Sequence, residues 1–385
     1  MTESSTLPDA AVADRKLAAP SPLARGLRSI RAVWKATVFF LKVFPMLPSR
    51  PIDWVTPQPV VEKVRYPSSD GPVEGEVYRP NGAGKYPGIL VCLGVVPFGT
   101  DHPQVSVLGR ALARAGFAAL LYWSPHMRDL RLDPADLENI PLAYDWLIAQ
   151  PYVDAARSGL MGTCVGGSFA MMAAAHPRVR DRVAFLSAYA PYASMWSFAR
   201  DIASESRTLD GQRISWEVDQ LTRKVFVHSI TATLEPREAE ALCAAFAVKR
   251  EGPDAPPIPD AGTLTPEGQA VLGLLTAQDA DAAGRALHNL PAEMQKRLTM
   301  MSPETYLEDI HAPLFVQLHD RGDMLIPVGE SRDLHAALAD RPGAYYTEMG
   351  FQHLDPVKGK LPLGTLVREL SRFFRAMLPL FRAAA

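Results

Sequence analysis

The stretch "GLMGTCVGGSFAMMAAAHP", residues 159–177, decides how this chain reads. A short apolar run ends in glycine, a cysteine stands among glycines, and a helix-like run of small and apolar residues follows. The form is G-x-C-x-G at a strand-to-helix turn, the cysteine counterpart of the G-x-S-x-G elbow. Gly162 and Gly166 flank Cys164 at the positions where a Cβ would meet the neighbouring strand and helix. The following helix offers unsatisfied amide N–H groups and the positive end of its dipole, and both favour a thiolate and a developing oxyanion. Alone, the pattern leaves two readings of Cys164 level: a nucleophile, or a small buried residue beside a glycine turn.

On either side of the elbow, strands alternate with helices. "PVVEKVRYPSSDGPVEGEVYRP" from residue 59 reads as two strands joined at Ser-Asp-Gly. "YPGILVCLG" (86–94) and "FAALLYW" (117–123) are continuous apolar runs of the kind that form buried parallel strands. "HPQVSVLGRALARAGF" reads as a helix ended by Gly116, and "DPADLENIPLAYDWLIAQP" as a helix with Asp133 as its cap and Pro134 at its first position. "SGLMG" (158–162) and "RVAFLSAYAPYA" (182–193) continue the strands. The alternation then stops. Residues 196–305 carry helical stretches and a Pro- and Gly-rich connection, with no strand run of comparable strength. It resumes at "APLFVQLHD" (312–320), a helix "GESRDLHAALAD", a strand "AYYTEM" and a final helix "LGTLVRELSRFFRAMLPLF". This pattern predicts an α/β fold with a mostly parallel central sheet flanked by helices, residues 55–195 and 306–385, interrupted by a mainly helical insertion at 196–305.

A thiolate needs a base, and the base an orienting acid. After "PLFVQLHD" comes "RGDMLIP", which puts Asp323 just past the carboxyl end of a strand, where open α/β sheets place their sites. Asp320 is the alternative acid. After "AYYTEM" comes "GFQHLDP", which puts His353 in the loop before the final helix. His176 and His335 fall in or at the ends of helices and read as surface or packing residues. The chain order Cys164, Asp323, His353 is the nucleophile, acid, histidine order of the hydrolase architecture that carries such an elbow.

With "GTCVGG", "HDRGDMLIP" and "GFQH" in that order, the chain resembles the dienelactone hydrolase family of α/β-hydrolases over residues 60–195 and 306–380. The resemblance implies an α/β-hydrolase fold and a triad of Cys164, Asp323 and His353. It also implies an oxyanion hole built from the backbone N–H of Val165 and that of Val95 or Val96 in "LGVVPFGTD". Two departures stand out. Members with ring-opening activity usually carry a Glu in that loop to hold the resting cysteine, and here Val95 and Val96 occupy it. The insertion at 196–305 is absent from the minimal family fold, and in capped relatives such a segment covers and shapes the pocket. Phe98, Trp123, Tyr189, Tyr192 and Trp196 are then the residues to test as pocket wall, each with core packing as its alternative.

The activity that follows is hydrolysis of an ester, lactone or thioester through an acyl-thioester intermediate, with a small-molecule acyl substrate and no metal or organic cofactor. Acyl transfer or peptide cleavage by the same triad, or a non-catalytic scaffold on a hydrolase fold, are the alternatives. The 385 residues, 48% hydrophobic and 21% charged, suit two domains or one large α/β domain with an insertion. A formal net charge of −2 argues against a nucleic-acid binder, which usually shows a basic face. Cys92, Cys164 and Cys243 form no disulfide framework and no zinc spacing, which points to a reducing, cytoplasmic compartment.

Residues 1–22 read as a polar disordered tail, followed by a basic amphipathic helix within 23–50. Nothing acidic lies between Asp14 and Asp53. On a helical wheel Arg28, Arg31, Lys35 and Lys42 share a stripe, while Leu27, Ile30, Trp34, Leu41 and Phe44 lie on other faces, mostly opposite. Residues 25–47 thus suit peripheral contact with an anionic membrane, packing on the chain's own body, or packing on a second subunit of a homo-oligomer. The lysines interrupt it too often for a spanning helix, and the long polar tail fits a signal peptide poorly.

Overall fold

Strands β1 (Val60–Tyr66) and β2 (Val73–Arg79) pair antiparallel across a turn in which Gly71 takes φ +110°, a conformation that favours glycine. The computed structural model describes residues 22–44, 47, 49–96, 102–250, 255–350 and 362–385; Phe98, His353 and residues 1–21 of the expected tail lie outside them. The apolar runs form β3 (Tyr86–Cys92), β4 (Ala118–Tyr122), β5 (Val153–Thr163) and β6 (Phe185–Tyr189). A short hairpin, β7 (Ser206–Leu209) and β8 (Gln212–Ser215), stands apart, and β9 (Phe315–Asp320) and β10 (Ala344–Met349) complete the main sheet. Its order is β1-β2-β4-β3-β5-β6-β9-β10. The strands from β4 to β10 in that order run parallel, and β2 joins β4 antiparallel.

Buried parallel strands expose neither face, and their alternate residues feed two cores. Leu90, Cys92, Leu120 and Leu160 join one layer with Ile140, Tyr144 and Phe169, from the helices Asp136–Ile148 and Val165–Ala175. Ile89, Val91, Ala119 and Leu121 join the other, with Leu112, Phe117, Phe373 and Phe381, under the helices Pro103–Arg114 and Leu363–Ala383. The expected helix ending at Gly116 is present, with Gly116 at φ +89°.

The insertion after β6 is mainly helical and also holds the short hairpin β7–β8. Asp210 and Gly211 both take positive φ, the requirement of the tight two-residue turn that suits twisted antiparallel strands. The flanking residues alternate too weakly in hydrophobicity for the strands to stand out, so the Asp-Gly pair was the usable signal. Trp216, Phe226, Leu242, Val271 and Leu287 of the insertion belong to the same buried cluster as the first sheet face. Polar contacts tie it to the connection between β4 and the helix Asp136–Ile148: the Leu132 N–H donates to Ser229 Oγ at 2.8 Å, and Arg297 pairs with Asp133 at 3.1 Å.

The N-terminal helix spans Pro22–Val43. It packs antiparallel on the C-terminal helix, with Phe39 against Phe381 (5.5 Å between ring centres) and Phe44 edge-on to Phe373 (5.6 Å). The N-terminal helix also packs on the helix Pro103–Arg114, and Ala32, Ala36 and Phe39 are buried against the body. The simple division into a basic stripe and an opposite apolar face is corrected here. Lys35 and Lys42 turn onto the body, Lys35 donating to Ala384 O at 3.0 Å and Lys42 pairing with Asp53 at 2.7 Å. Burial, helped by Arg157 and Arg31, lowers the Lys35 pKa to about 8. Phe44 is buried, whereas Leu27, Ile30 and Trp34 face solvent. Among the described residues no helix is long and apolar enough to cross a membrane.

Candidate active site

The chain leaves β3 for β4 on one side and returns to β5 on the other, so the point where the strand order reverses, the usual place for a site in an open α/β sheet, lies at the carboxyl ends of β3 and β5. Cys164 follows the last residue of β5 and precedes the helix Val165–Ala175. Its backbone sits at φ 55°, ψ −139°, a strained conformation for a non-glycine residue. Packing holds it there: the Cys164 amide donates to Tyr189 O at 2.8 Å, and the Cys164 carbonyl accepts from Gly167 N at 2.8 Å. A Cβ at Gly162 would come within 2.6 Å of the Gly166 carbonyl carbon, and one at Gly166 within 2.8 Å of that of Cys92. The two glycines flanking the cysteine are therefore sterically required. Gly94, at φ +75°, lies against the same turn, where a Cβ would stand 3.0 Å from Gly166 N and from Thr163 O. Thr163 Oγ1 donates to Leu93 O at 3.0 Å, closing the loop after β3 onto the elbow.

This brings the Val95–Val96 segment beside the start of the elbow helix, whose first residue is Val165. The cysteine side chain is half-buried, in contrast to Cys92, which is fully buried with its thiol pKa pushed up by desolvation and then by Asp136.

Asp323 lies three residues past β9 and is buried. Its Oδ1 accepts from Leu325 N at 2.7 Å and Ile326 N at 3.1 Å. Its Oδ2 stands 3.7 Å from His319 Nε2. His319 is a contact that sequence reading missed. A histidine on a strand buried on both faces must find hydrogen-bond partners, and the "LHDRGD" spacing was the available signal. Its Nδ1 meets Ser331 Oγ at 2.6 Å and its Nε2 meets Ile326 O at 3.0 Å, while Ser331 Oγ donates to Pro191 O at 3.1 Å. Asp320, the alternative acid, is buried and accepts the Tyr189 hydroxyl. Two contacts place the insertion over this loop: Arg207 donates to Asp323 O at 3.0 Å, and Thr222 Oγ1 to Leu325 O at 3.1 Å.

The expected pocket residues distribute unevenly. Trp123, Tyr189 and Tyr192 pack as core, at 4%, 2% and 0% exposure. Tyr192 stacks on Phe198 (5.5 Å) and donates to Met301 O at 2.8 Å, so its polar tip is satisfied internally. Trp196 reaches a surface cavity of about 330 Å³ that also holds Arg200, His288, Glu304 and Asp333. Beneath that cavity Glu330 is buried, accepting from Ala193 N (2.8 Å), Ser194 N (3.2 Å) and Ser197 Oγ (2.7 Å). Burial pushes its carboxyl pKa up to about 7. His176 pairs with Glu138 at 3.0 Å and His335 stacks on Tyr346 at 4.8 Å, both away from the elbow.

Sheet order, strand-to-helix elbow and acid loop together define an α/β-hydrolase fold. No family model matches the chain. A segment of 123 residues, 28% of this chain, is 32% identical to a Bradyrhizobium protein described as a probable 2-oxo-3-(5-oxofuran-2-ylidene)propanoate lactonase. The match covers 48% of that protein, so the chain spans about half the length of the curated relative it matches. Among solved structures, the acylaminoacyl peptidase of Pyrococcus horikoshii superposes with a TM-score of 0.50 at 14% identity, over 86% of this chain and 42% of that one. At that identity the likeness speaks for the fold alone.

Proposed function

We propose that the protein is a cysteine-dependent hydrolase of esters or lactones, with Cys164 as nucleophile, His353 as base and Asp323 as the acid that orients it. The observation that carries this reading is the backbone of Cys164, held at φ 55° between two glycines that leave no space for a Cβ. Strain of that kind persists only where the surroundings enforce it, and it aims the side chain out of the turn. In the proposed cycle His353 takes the thiol proton and the thiolate attacks the acyl carbon. The N–H of Val165 and that of Val95 or Val96 receive the oxyanion. The tetrahedral intermediate collapses to a thioester as the leaving oxygen takes the proton from His353. Water, deprotonated by His353, then releases the acid and restores the thiol.

A lactone is the natural first substrate to try. The curated relative is described as a lactonase, and ring opening by this cycle leaves both product ends in one molecule. The insertion over the Asp323 loop is the proposed cap, and its side chains set which acyl groups enter. The test is hydrolysis of p-nitrophenyl butyrate and of a small five-membered unsaturated lactone by wild type and by Cys164→Ala. The expected loss in kcat is on the order of 10³-fold or more. A Cys164→Ala protein as active as wild type would rule the nucleophile out.

A further inference from the structure

The N-terminal helix is apolar on two opposite sides, and the chain covers one of them. Ala32, Ala36 and Phe39 are buried against the body, while Leu23, Leu27, Ile30 and Trp34 stand in solvent at 75%, 60%, 69% and 46% exposure. Their spacing of four, three and four residues aligns the four side chains in one stripe along the helix. Lys35 lies level with Ala384, so the turns before it extend past the end of the antiparallel C-terminal helix. Arg31 is exposed on the flank of that stripe, about 40° round the helix from Leu27, and Arg28 is exposed farther round, toward the side that meets the body. The acidic residue near the other end of the helix, Asp53, is engaged by Lys42 at 2.7 Å and Arg114 at 2.8 Å.

We infer that the stripe Leu23–Leu27–Ile30–Trp34, with Arg31 beside it on a helix that carries no acidic side chain, docks the protein on an anionic membrane surface. The guanidinium of Arg31 matches anionic headgroups, and the aliphatic and indole side chains suit the boundary between headgroups and acyl chains. The opposite face of the helix is fixed to the body, so the helix lies along the surface and cannot insert across it. A second copy of the chain fits the stripe less well. It would bring the like-charged Arg31 side chains of both copies to one seam. Even at about 150 Å² each, the area a buried aromatic ring contributes, four side chains fall short of the ~800 Å² per partner that a stable protein pair buries.

The test is co-sedimentation of the full chain with vesicles of equimolar phosphatidylcholine and phosphatidylglycerol, against vesicles of phosphatidylcholine alone. Wild type is compared with Leu27→Glu/Ile30→Glu, two exposed sites whose substitution is expected to leave the circular-dichroism spectrum and the thermal midpoint unchanged. Wild type is expected to pellet with the anionic vesicles and less as salt rises, and the variant to bind at least ~10-fold more weakly, in line with apolar burial plus charge as the source of affinity. Equal pelleting of wild type and variant overturns the proposal. So does a wild type that stays in the supernatant, including one that instead forms a dimer dissolved by the two substitutions.

Discussion

The carbonyl of Tyr189 accepts the amide hydrogen of Cys164 at 2.8 Å, while the hydroxyl of the same tyrosine donates to the buried carboxyl of Asp320. One residue at the end of β6 therefore fixes the elbow through its backbone and occupies one of the two acids near the site through its side chain. The proposed triad gives the two acids different roles, and variants distinguish them. Tyr189→Phe keeps the backbone bond and removes only the hydroxyl from Asp320, so it is expected to cost about 1–3 kcal/mol of stability with kcat little changed. Asp323→Asn is expected to lower kcat by on the order of 10³-fold with binding retained, and Asp320→Asn to act mainly on stability. Urea midpoints and steady-state kinetics on the variants decide it. A kcat loss in Asp320→Asn matching that in Asp323→Asn would reassign the acid.

The glycines around the elbow differ sharply from a glycine in the insertion. At Gly166 an added Cβ meets backbone, 2.8 Å from the Cys92 carbonyl carbon, whereas at Gly273, within the helix Pro266–Leu275, it meets nothing within 4 Å. Gly166→Ala is expected to destabilise by about 3 kcal/mol or more and to abolish turnover. Gly273→Ala is expected to stabilise by about 0.4–1 kcal/mol through the unfolded chain. Denaturant unfolding measures both.

Much of this was legible in the sequence, and the reasons are physical. Buried parallel strands write themselves as apolar runs, so β3, β4, β6 and β9 stood out, and the glycines about Cys164 marked a turn that excludes side chains. His319 was not legible, because a histidine at the end of a buried strand carries no periodic signal and its value lies in a contact with Asp323. The packing of Trp123, Tyr189 and Tyr192 was equally hidden. An aromatic at a strand end reads alike whether it faces a cavity or the core. In the N-terminal helix the wheel showed the charges but not which of two apolar sides would find Phe373 and Phe381.

Glu330 gives the fold a pH dependence with a definite sign. Burial, opposed by its hydrogen bonds, raises the carboxyl pKa from its usual 4.5 to about 7. The native protein thus keeps a proton that the unfolded chain releases between those values. The stabilisation is full below the lower value and is lost as pH rises through the upper one. Glu330→Gln removes the titration while its oxygen can still accept from the Ala193 and Ser194 amides. The melting temperature of wild type is expected to fall relative to the variant between about pH 5 and about pH 8. A gap between the two proteins that stays constant over that range would show that Glu330 does not titrate there.

The central claim is that Cys164 carries the acyl group, and the most direct measurement is mass spectrometry of protein acid-quenched during turnover of p-nitrophenyl butyrate. The account predicts a butyryl mass increment on the peptide containing Cys164, labile to hydroxylamine and absent from Cys164→Ala. An increment on a different residue, or wild-type turnover by Cys164→Ala with no adduct, would contradict it.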